Sequence, residues 1–151
     1  MDVFDRRILK ALISNSKSTL REIGRKAGLF SASSISKRIS SLEAEGYIKG
    51  YRAVIDYEKL GYNFITITFI RAEYRKNYSK EIGKKLSEIP GVIAVYFLLG
   101  EIDFIVITVS RDKNDYATIL DRISSIDGVI RSDTRTVLET YKEYDFKSIE
   151  I

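Results

Sequence analysis

Residues 86–93 read LSEIPGVI, and residues 123–130 repeat this pattern as ISSIDGVI, 37 positions further along the chain. In both copies a glycine separates the end of an apolar helical pattern from a run of β-branched residues, which indicates a helix that ends and a strand that begins. The helical patterns are Ile82, Leu86 and Ile89 in the first copy and Ile119, Ile123 and Ile126 in the second. The repeat therefore predicts two similar units, each with one helix followed by one strand.

Strand-like runs lie before and between these two units. Residues 64–72 alternate Ile and Phe with Thr, and residues 104–109 are nearly all β-branched or aromatic. The predicted element order is β-α-β-β-α-β, which is the order of a ferredoxin-like domain with a four-stranded antiparallel sheet and both helices on one face. We place this domain at residues 61–151.

The opposite face of that sheet would have no cover within the chain. Residues 92–99 and 105–109 are apolar on both faces of their strands. We therefore expect a second subunit to cover the open face, most economically through a two-fold axis. The sequence therefore predicts a homodimer at least.

Three short helical patterns occupy residues 1–60. The first has Phe4, Ile8 and Leu12 on one face, the second begins at Thr19 and ends at Gly28, and the third begins at Ser31 and ends at Gly46. Two short helices joined by a tight turn, with another helix ahead of them, are typical of a helix-turn-helix, whose last helix enters the DNA major groove. The predicted fold class is α+β: a winged helix-turn-helix at residues 1–60, ending in a short wing and linker strand, followed by the ferredoxin-like domain.

The third helix has an outward face suited to DNA. Ile35, Ile39 and Leu42 define its inward face, and small hydroxyl side chains with a cation lie opposite. Small side chains allow close approach to a groove, hydroxyls donate to phosphates or base edges, and Lys or Arg pairs with guanine. The predicted DNA-binding residues are Ser31, Ser33, Ser34, Ser36, Lys37, Arg38 and Ser41, with Lys49 and Arg52 in the wing. The alternatives are a solvated serine-rich face and an ordinary turn at residues 49–52.

Composition supports a binding protein over an enzyme. The absence of Cys and His excludes disulfides, Cys/His zinc sites, thiol nucleophiles and histidine acid–base catalysis, and we expect no cofactor and no metal. Residues 1–60 carry 12 Lys/Arg against 7 Asp/Glu, whereas residues 61–151 carry 13 against 14. The basic character is confined to the first half, which favours a polyanion-binding domain there, although a small domain can carry such a charge by chance.

Hydropathy and charge indicate the cellular location of the protein. The longest apolar run is far shorter than the roughly 18 residues that a membrane span needs, and the charged first ten residues are unlike a signal peptide. We expect no membrane association and a cytoplasmic location. Abundant Ile, Lys and Glu without Gln suggest a thermophilic source.

Nearly the whole chain resembles the Lrp/AsnC family of leucine-responsive, or feast/famine, regulators. The matching segments are Asp5–Leu9, Asn15, Arg21–Gly24, Gly28–Leu29, Ser36–Ile39, Leu42–Glu43, Gly46–Tyr51, Leu60–Gly61, Pro90–Val92 and Gly100–Asp103. The resemblance implies a transcription factor that binds double-stranded operator DNA through its helix-turn-helix, and whose dimers assemble into larger rings, typically octamers, that sense amino acids. One departure is visible, because the turn at Leu29, Phe30 and Ser31 is one residue longer than the usual pattern and Ala32 replaces a frequent proline.

The resemblance also implies an effector site at the loop between the second and third strands. Its predicted residues are Gly100, Glu101, Ile102 and Asp103, together with Thr134 and Thr136 on the last strand. Exposed amides near Gly100 could hold a ligand carboxylate, and Asp103 could pair with an α-ammonium group. From the residues alone, a plain hairpin turn is the simpler interpretation of this loop.

Two functional hypotheses follow. The first is a sequence-specific regulator of transcription that is not an enzyme and is tuned by an amino-acid effector. The second is a metabolite-binding regulatory subunit in which the helical half contacts a protein partner. A carboxylate-based enzyme would need two converging acids, and no spacing in the sequence predicts such a pair.

Overall fold

A computed structural model describes residues 1–151, which divide into two compact units. One unit comprises Met1–Val54 with Tyr141–Ile151, and the other comprises Ile55–Thr140. This division differs in two ways from the boundary expected at residue 60. The chain passes from the helical unit to the second unit after Val54, and residues 141–151 at the end of the chain belong to the helical unit. There the short 3₁₀ helix Phe146–Ser148 contacts the first α-helix, and no local sequence signal marks a contact between segments so far apart.

The helical unit contains the three predicted helices. They are α1 (Val3–Ser14), α2 (Leu20–Ala27) and α3 (Ala32–Ala44). Each begins at a side chain that caps its free backbone N–H groups: Asp2 for α1, Thr19 for α2 and Ser31 for α3. Their core consists of Ile8, Ala11, Ile23, Ala27, Ile35 and Leu42. The inward register predicted for α3 is confirmed at Ile35 and Leu42, which are 1% and 2% exposed.

The turn between α2 and α3 is tightly packed. Gly28 ends α2 with a φ of +78°, and the Leu29 N–H donates to the Gly24 carbonyl oxygen at 2.8 Å. A Cβ atom on Gly24 would lie 2.5 Å from both the Leu29 carbonyl oxygen and the Ile35 Cδ1 atom. The close approach of α2 to this turn therefore requires glycine at position 24.

The segment after α3 contains no strand. Residues 47–56 are irregular, and the short 3₁₀ helix Glu58–Leu60 precedes the first strand. The predicted wing is thus an irregular segment carrying Lys49 and Arg52, and the linker strand expected before residue 60 is absent. The sheet has only four strands, and the first of them begins at Phe64. The backbone of residues 47–56 therefore pairs with no strand.

The second unit has the predicted β-α-β-β-α-β order. Its elements are β1 (Phe64–Ala72), α4 (Tyr78–Ser87), β2 (Val92–Phe97), β3 (Phe104–Ser110), α5 (Lys113–Ser124) and β4 (Val129–Thr136). The strand order is β2-β3-β1-β4 with antiparallel neighbours throughout, which confirms the ferredoxin-like plan. The repeat is visible in the backbone, because Gly91 and Gly128 hold φ angles of +90° and +91° at equivalent turns.

Helices cover only one of the two faces of the sheet. Helices α4 and α5 pack on one face around Ile70, Phe104 and Val106, which are fully buried. The other face carries the pairs Ile65–Val109, Ile67–Ile107 and Phe69–Ile105 in cross-strand register. Most of these side chains are only half-buried, so the apolar open face predicted from the sequence is present. None of the five α-helices combines the length and apolar character needed to cross a bilayer.

Candidate nucleic-acid interface and ligand loop

The outward face of α3 forms a shallow concavity. Its lining residues are Ser33, Ser34, Lys37, Arg38 and Ser41. Lys37 is exposed and forms no ion pair within the chain, so its ammonium group is free to bind an anion or a base edge. The Ser31 hydroxyl accepts from the Ser34 N–H at 3.4 Å and lies 2.9 Å from the Ser33 hydroxyl, so the cap holds the first turn of this face in place. The small side chains, hydroxyls and free cation of this face are of the types that contact phosphates and base edges in a DNA groove.

Two other predicted serines differ in their surroundings. The Ser41 hydroxyl donates to Glu45 Oε1 at 2.6 Å, so part of its hydrogen-bonding capacity is used within the helical unit. Ser36 is exposed but lies outside the residues that line the concavity. Of the residues that line the concavity, Ser33, Ser34 and Lys37 are those whose side chains form no contact with an acidic residue.

Arg38 has a different environment from Lys37. Its Nη1 atom donates to Asp5 Oδ1 at 2.7 Å and to Asp2 Oδ2 at 2.8 Å, and its guanidinium carbon lies 5.5 Å from the centre of the Phe4 ring. These hydrogen bonds, with Asp5 the stronger influence, raise the pKa of Arg38. The side chain joins α3 to the start of α1, a contact across 33 residues that no local sequence pattern reveals.

The segment after α3 is attached to that helix at one point. The Tyr51 hydroxyl donates to Glu43 Oε1 at 2.9 Å, and partial burial followed by this hydrogen bond raises the pKa of Tyr51. Lys49 and Arg52, on either side of Tyr51 in the chain, are exposed and form no ion pair. Tyr51 belongs to the basic and aromatic turn predicted as the wing, but it was not among the predicted DNA-binding residues.

The loop between β2 and β3 carries the predicted effector residues Gly100, Glu101, Ile102 and Asp103. Gly100 has a φ of +141°, and a Cβ atom there would meet nothing within 4 Å, so the constraint at this position is conformational. The backbone N–H groups of residues 100–102 donate no hydrogen bond within the chain. They are available to an anionic group such as a carboxylate.

Asp103 fixes the end of this loop. Its Oδ2 atom accepts from the Ala72 N–H at 2.8 Å, and its Oδ1 atom accepts from the Tyr78 hydroxyl at 3.0 Å. Burial, followed by the Asp103 hydrogen bond, raises the pKa of Tyr78. Arg71 Nε also donates to the Glu101 carbonyl oxygen at 3.0 Å. Tyr78 and Arg71 thus support the loop, and neither was a candidate from the sequence, because both contacts are formed only when β1 and α4 meet β3.

The two predicted threonines of β4 lie on the helix-covered side of the sheet. Thr134 pairs with Thr68 across the strands, and its hydroxyl lies 2.6 Å from the Tyr116 hydroxyl and 3.1 Å from the Thr68 hydroxyl. Thr136 pairs with Thr66 and is exposed. The Thr134 hydroxyl therefore belongs to a hydrogen-bond network beneath α5, and the structure does not place it in contact with Gly100–Asp103.

The fold and these surfaces define a class of protein: a helix-turn-helix DNA-binding unit joined to an α+β unit with a candidate small-ligand loop. Comparison with protein families identifies both parts. Residues 1–49 match the winged helix-turn-helix DNA-binding family, and residues 64–145 match the Lrp/AsnC ligand binding domain. The chain belongs to the Lrp/AsnC family.

Similar proteins match over nearly the whole chain. The HTH-type transcriptional regulator FL11 of Pyrococcus horikoshii is 36% identical over 143 residues, which cover 95% of this chain and 93% of that protein. The HTH-type transcriptional regulator LrpA of the same organism is 33% identical over 143 residues, with 94% and 99% covered. The chain is therefore a transcriptional regulator and not an enzyme, and the DNA-binding hypothesis is favoured over a subunit that acts on a protein partner.

Solved structures show the same fold. A transcriptional regulator from Neisseria meningitidis in complex with L-Met matches with a TM-score of 0.86 at 24% identity, with 95% of this chain and 93% of that chain covered. AsnC of E. coli matches with a TM-score of 0.84 at 24% identity, with 97% and 98% covered. These likenesses confirm the predicted winged helix-turn-helix and ferredoxin-like architecture.

Proposed function

We propose that this regulator binds double-stranded operator DNA with the outward face of α3 in the major groove. The observation that carries the proposal is the concavity on α3, where Lys37 is free of ion pairs beside Ser33 and Ser34. Lys37 pairs with a guanine edge or a phosphate, and the serine hydroxyls donate to phosphates or base edges. Ser31 supports them as the helix cap, and Ser36 and Ser41 contact the groove walls.

Lys49 and Arg52 bind phosphates beside the groove. Both are exposed, and the Tyr51–Glu43 hydrogen bond keeps their segment next to α3. Because each phosphate contact releases counterions, the operator affinity falls steeply as salt is raised. Arg38, whose guanidinium already binds two carboxylates, positions α3 and makes no DNA contact in this proposal.

The regulator acts as a homodimer formed through the open face of the sheet. The half-buried pairs Ile67–Ile107 and Phe69–Ile105 lie at the centre of that face, where a second copy related by a two-fold axis would bury them. Two-fold symmetry presents two copies of α3 to a palindromic site. Assembly of such dimers into an octamer, in the cytoplasm where the operator lies, completes the proposal.

An amino acid is the proposed effector. The free N–H groups of residues 100–102 bind its carboxylate, and Asp103, which keeps lone pairs beyond its two present hydrogen bonds, accepts from its α-ammonium group. Thr136, which is exposed on β4, offers the effector a further hydroxyl, and the Thr134 hydroxyl reaches it only by leaving its contacts with Tyr116 and Thr68. Two similar structures, from Neisseria meningitidis and from M. tuberculosis, were solved with L-methionine, which makes that amino acid the first to test.

Selection of genomic DNA fragments by the full-length protein tests this function. We expect one palindromic motif to be enriched without added amino acids, and its occupancy to change when L-methionine or an amino-acid mixture is added. Failure to enrich any motif at low salt would contradict the DNA-binding proposal. An unchanged occupancy with every amino acid would contradict the effector proposal alone.

A further inference from the structure

One large apolar side chain lies fully exposed beside the DNA-binding face. Phe30, in the turn between α2 and α3, is 100% exposed. Its two neighbours are both fixed: Leu29 packs against the helical core, and the Ser31 side chain caps α3. Phe30 is therefore held outward between a core-packed residue and a helix cap.

The backbone of this turn leaves Phe30 little freedom to turn inward. The Leu29 N–H donates to the Gly24 carbonyl oxygen at 2.8 Å, and the Leu29 carbonyl oxygen approaches Gly24 so closely that a Cβ atom there would lie 2.5 Å away. Gly28 adds a left-handed residue at the end of α2. The turn thus presents the phenyl ring at a defined place, directly before the first turn of α3.

Exposed apolar residues are common on protein surfaces, so exposure alone identifies no partner. The position of Phe30 does identify one. It precedes by three and four residues Ser33 and Ser34, which line the concavity, and the first residues of a recognition helix are those that contact base edges. The apolar group that DNA offers in the major groove is the thymine methyl group.

We propose that Phe30 packs against a thymine methyl group at the edge of the half-site recognised by α3, and so adds a preference for thymine there. This inference rests on the proposed DNA-binding function. Burial of the ring from water contributes to affinity without releasing counterions.

The test uses a synthetic duplex enriched by the full-length wild-type protein from a random-sequence pool. Its affinity is measured for wild type, Phe30→Ala, Phe30→Leu and the control Leu138→Ala, which removes another fully exposed apolar side chain from the other unit. A second duplex carries uracil in place of the thymines at the edge of each half-site, which removes only their methyl groups. Melting curves check that each variant is folded.

We expect Phe30→Ala to bind about fivefold more weakly with an unchanged salt slope, and Phe30→Leu and Leu138→Ala to stay within about twofold of wild type. Uracil substitution should weaken wild type but not Phe30→Ala. If wild type and Phe30→Ala bound both duplexes equally, the inference would be overturned and the proposed function would stand.

If the wild-type protein enriched no duplex, both would be overturned. If Phe30→Ala changed only the oligomeric mass of the protein, the ring would be assigned to a protein contact instead.

Discussion

Arg38 Nη1 lies 2.7 Å from Asp5 Oδ1, which joins the middle of α3 to the first turn of α1. The same nitrogen lies 2.8 Å from Asp2 Oδ2, so one guanidinium bridges the cap and the first turn of α1. The orientation of the DNA-binding face therefore depends on a contact on the flank of its own helix.

Substitution of Arg38 separates positioning from DNA contact. We expect Arg38→Gln to lower the melting temperature of the helical unit by a few degrees and to weaken DNA binding, because α3 loses its attachment to α1. The slope of log affinity against log salt should not change, since the guanidinium neutralises no phosphate. A slope reduced by about one, with an unchanged melting temperature, would instead show that Arg38 is a phosphate contact.

Low pH should reduce the stability of the helical unit, because two of its helix caps include ionised carboxylates. Hydrogen bonds from the Asp5 backbone N–H and from Arg38 lower the pKa of Asp2, and hydrogen bonds from Thr19 lower the pKa of Glu22. Carboxyl groups with a lowered pKa stabilise the fold above their ordinary values, and this stabilisation is lost as pH falls through the folded values. Stability should therefore decline below about pH 4.

Asp2→Asn isolates this effect, because Asn remains a good cap but carries no charge. We expect the variant to melt below wild type at about pH 7 and the two melting temperatures to converge as pH falls through the lowered pKa of Asp2. A difference that persists undiminished in acid would show that the charge of Asp2 does not contribute.

A substitution at the centre of the open sheet face tests whether that face forms the dimer interface. Ile67→Asp places a carboxylate in the predicted dimer interface, where burying an unpaired charge is costly, so we expect the dimer to dissociate into folded monomers. Sedimentation velocity measures the mass, circular dichroism checks the fold, and Ile67→Val is the conservative control. A dimer retained by Ile67→Asp would place the subunit contact elsewhere.

The ligand loop is tested at Gly100. Because its φ of +141° favours glycine, Gly100→Ala should cost about 1–3 kcal/mol in this backbone conformation or displace the loop. The expected result is loss of the L-methionine effect on DNA occupancy while DNA binding without effector is retained. Gly61→Ala is the matched control, since Gly61 has a φ of +84° and open space around its Cβ position but lies outside the loop. Equal effector responses in both variants would contradict a role for Gly100.

Local signals predicted the elements, whereas contacts between distant residues could not be predicted. The caps at Thr19 and Ser31 and the paired turns at Gly91 and Gly128 depend on a few neighbouring residues, and the structure confirms them. The ion pairs of Arg38, by contrast, join residues 33 and 36 positions apart. A helical projection shows only that Arg38 lies on the flank of α3, so it could not distinguish a DNA contact from an internal anchor.

In the ligand loop, too, local features could be predicted and contacts between distant residues could not. Its glycine and its place between two strands were predicted from neighbouring residues, but the hydrogen bonds of Asp103 to Ala72 and Tyr78 require three separate segments to meet. Thr134 illustrates a further limit, because period two assigns side chains to alternate faces without identifying which face the helices cover. The register with Thr68 shows that Thr134 lies on the helix-covered face.

The central claim is that Lys37 and the serines beside it contact operator DNA. The most direct measurement is the affinity of Lys37→Ala for the duplex that the wild-type protein enriches, with Lys80→Ala, an exposed lysine of α4, as the charge-matched control. We predict that Lys37→Ala binds about tenfold more weakly and remains a dimer, while Lys80→Ala binds like wild type. Wild-type affinity and selectivity in Lys37→Ala would show that the outward face of α3 does not recognise the operator.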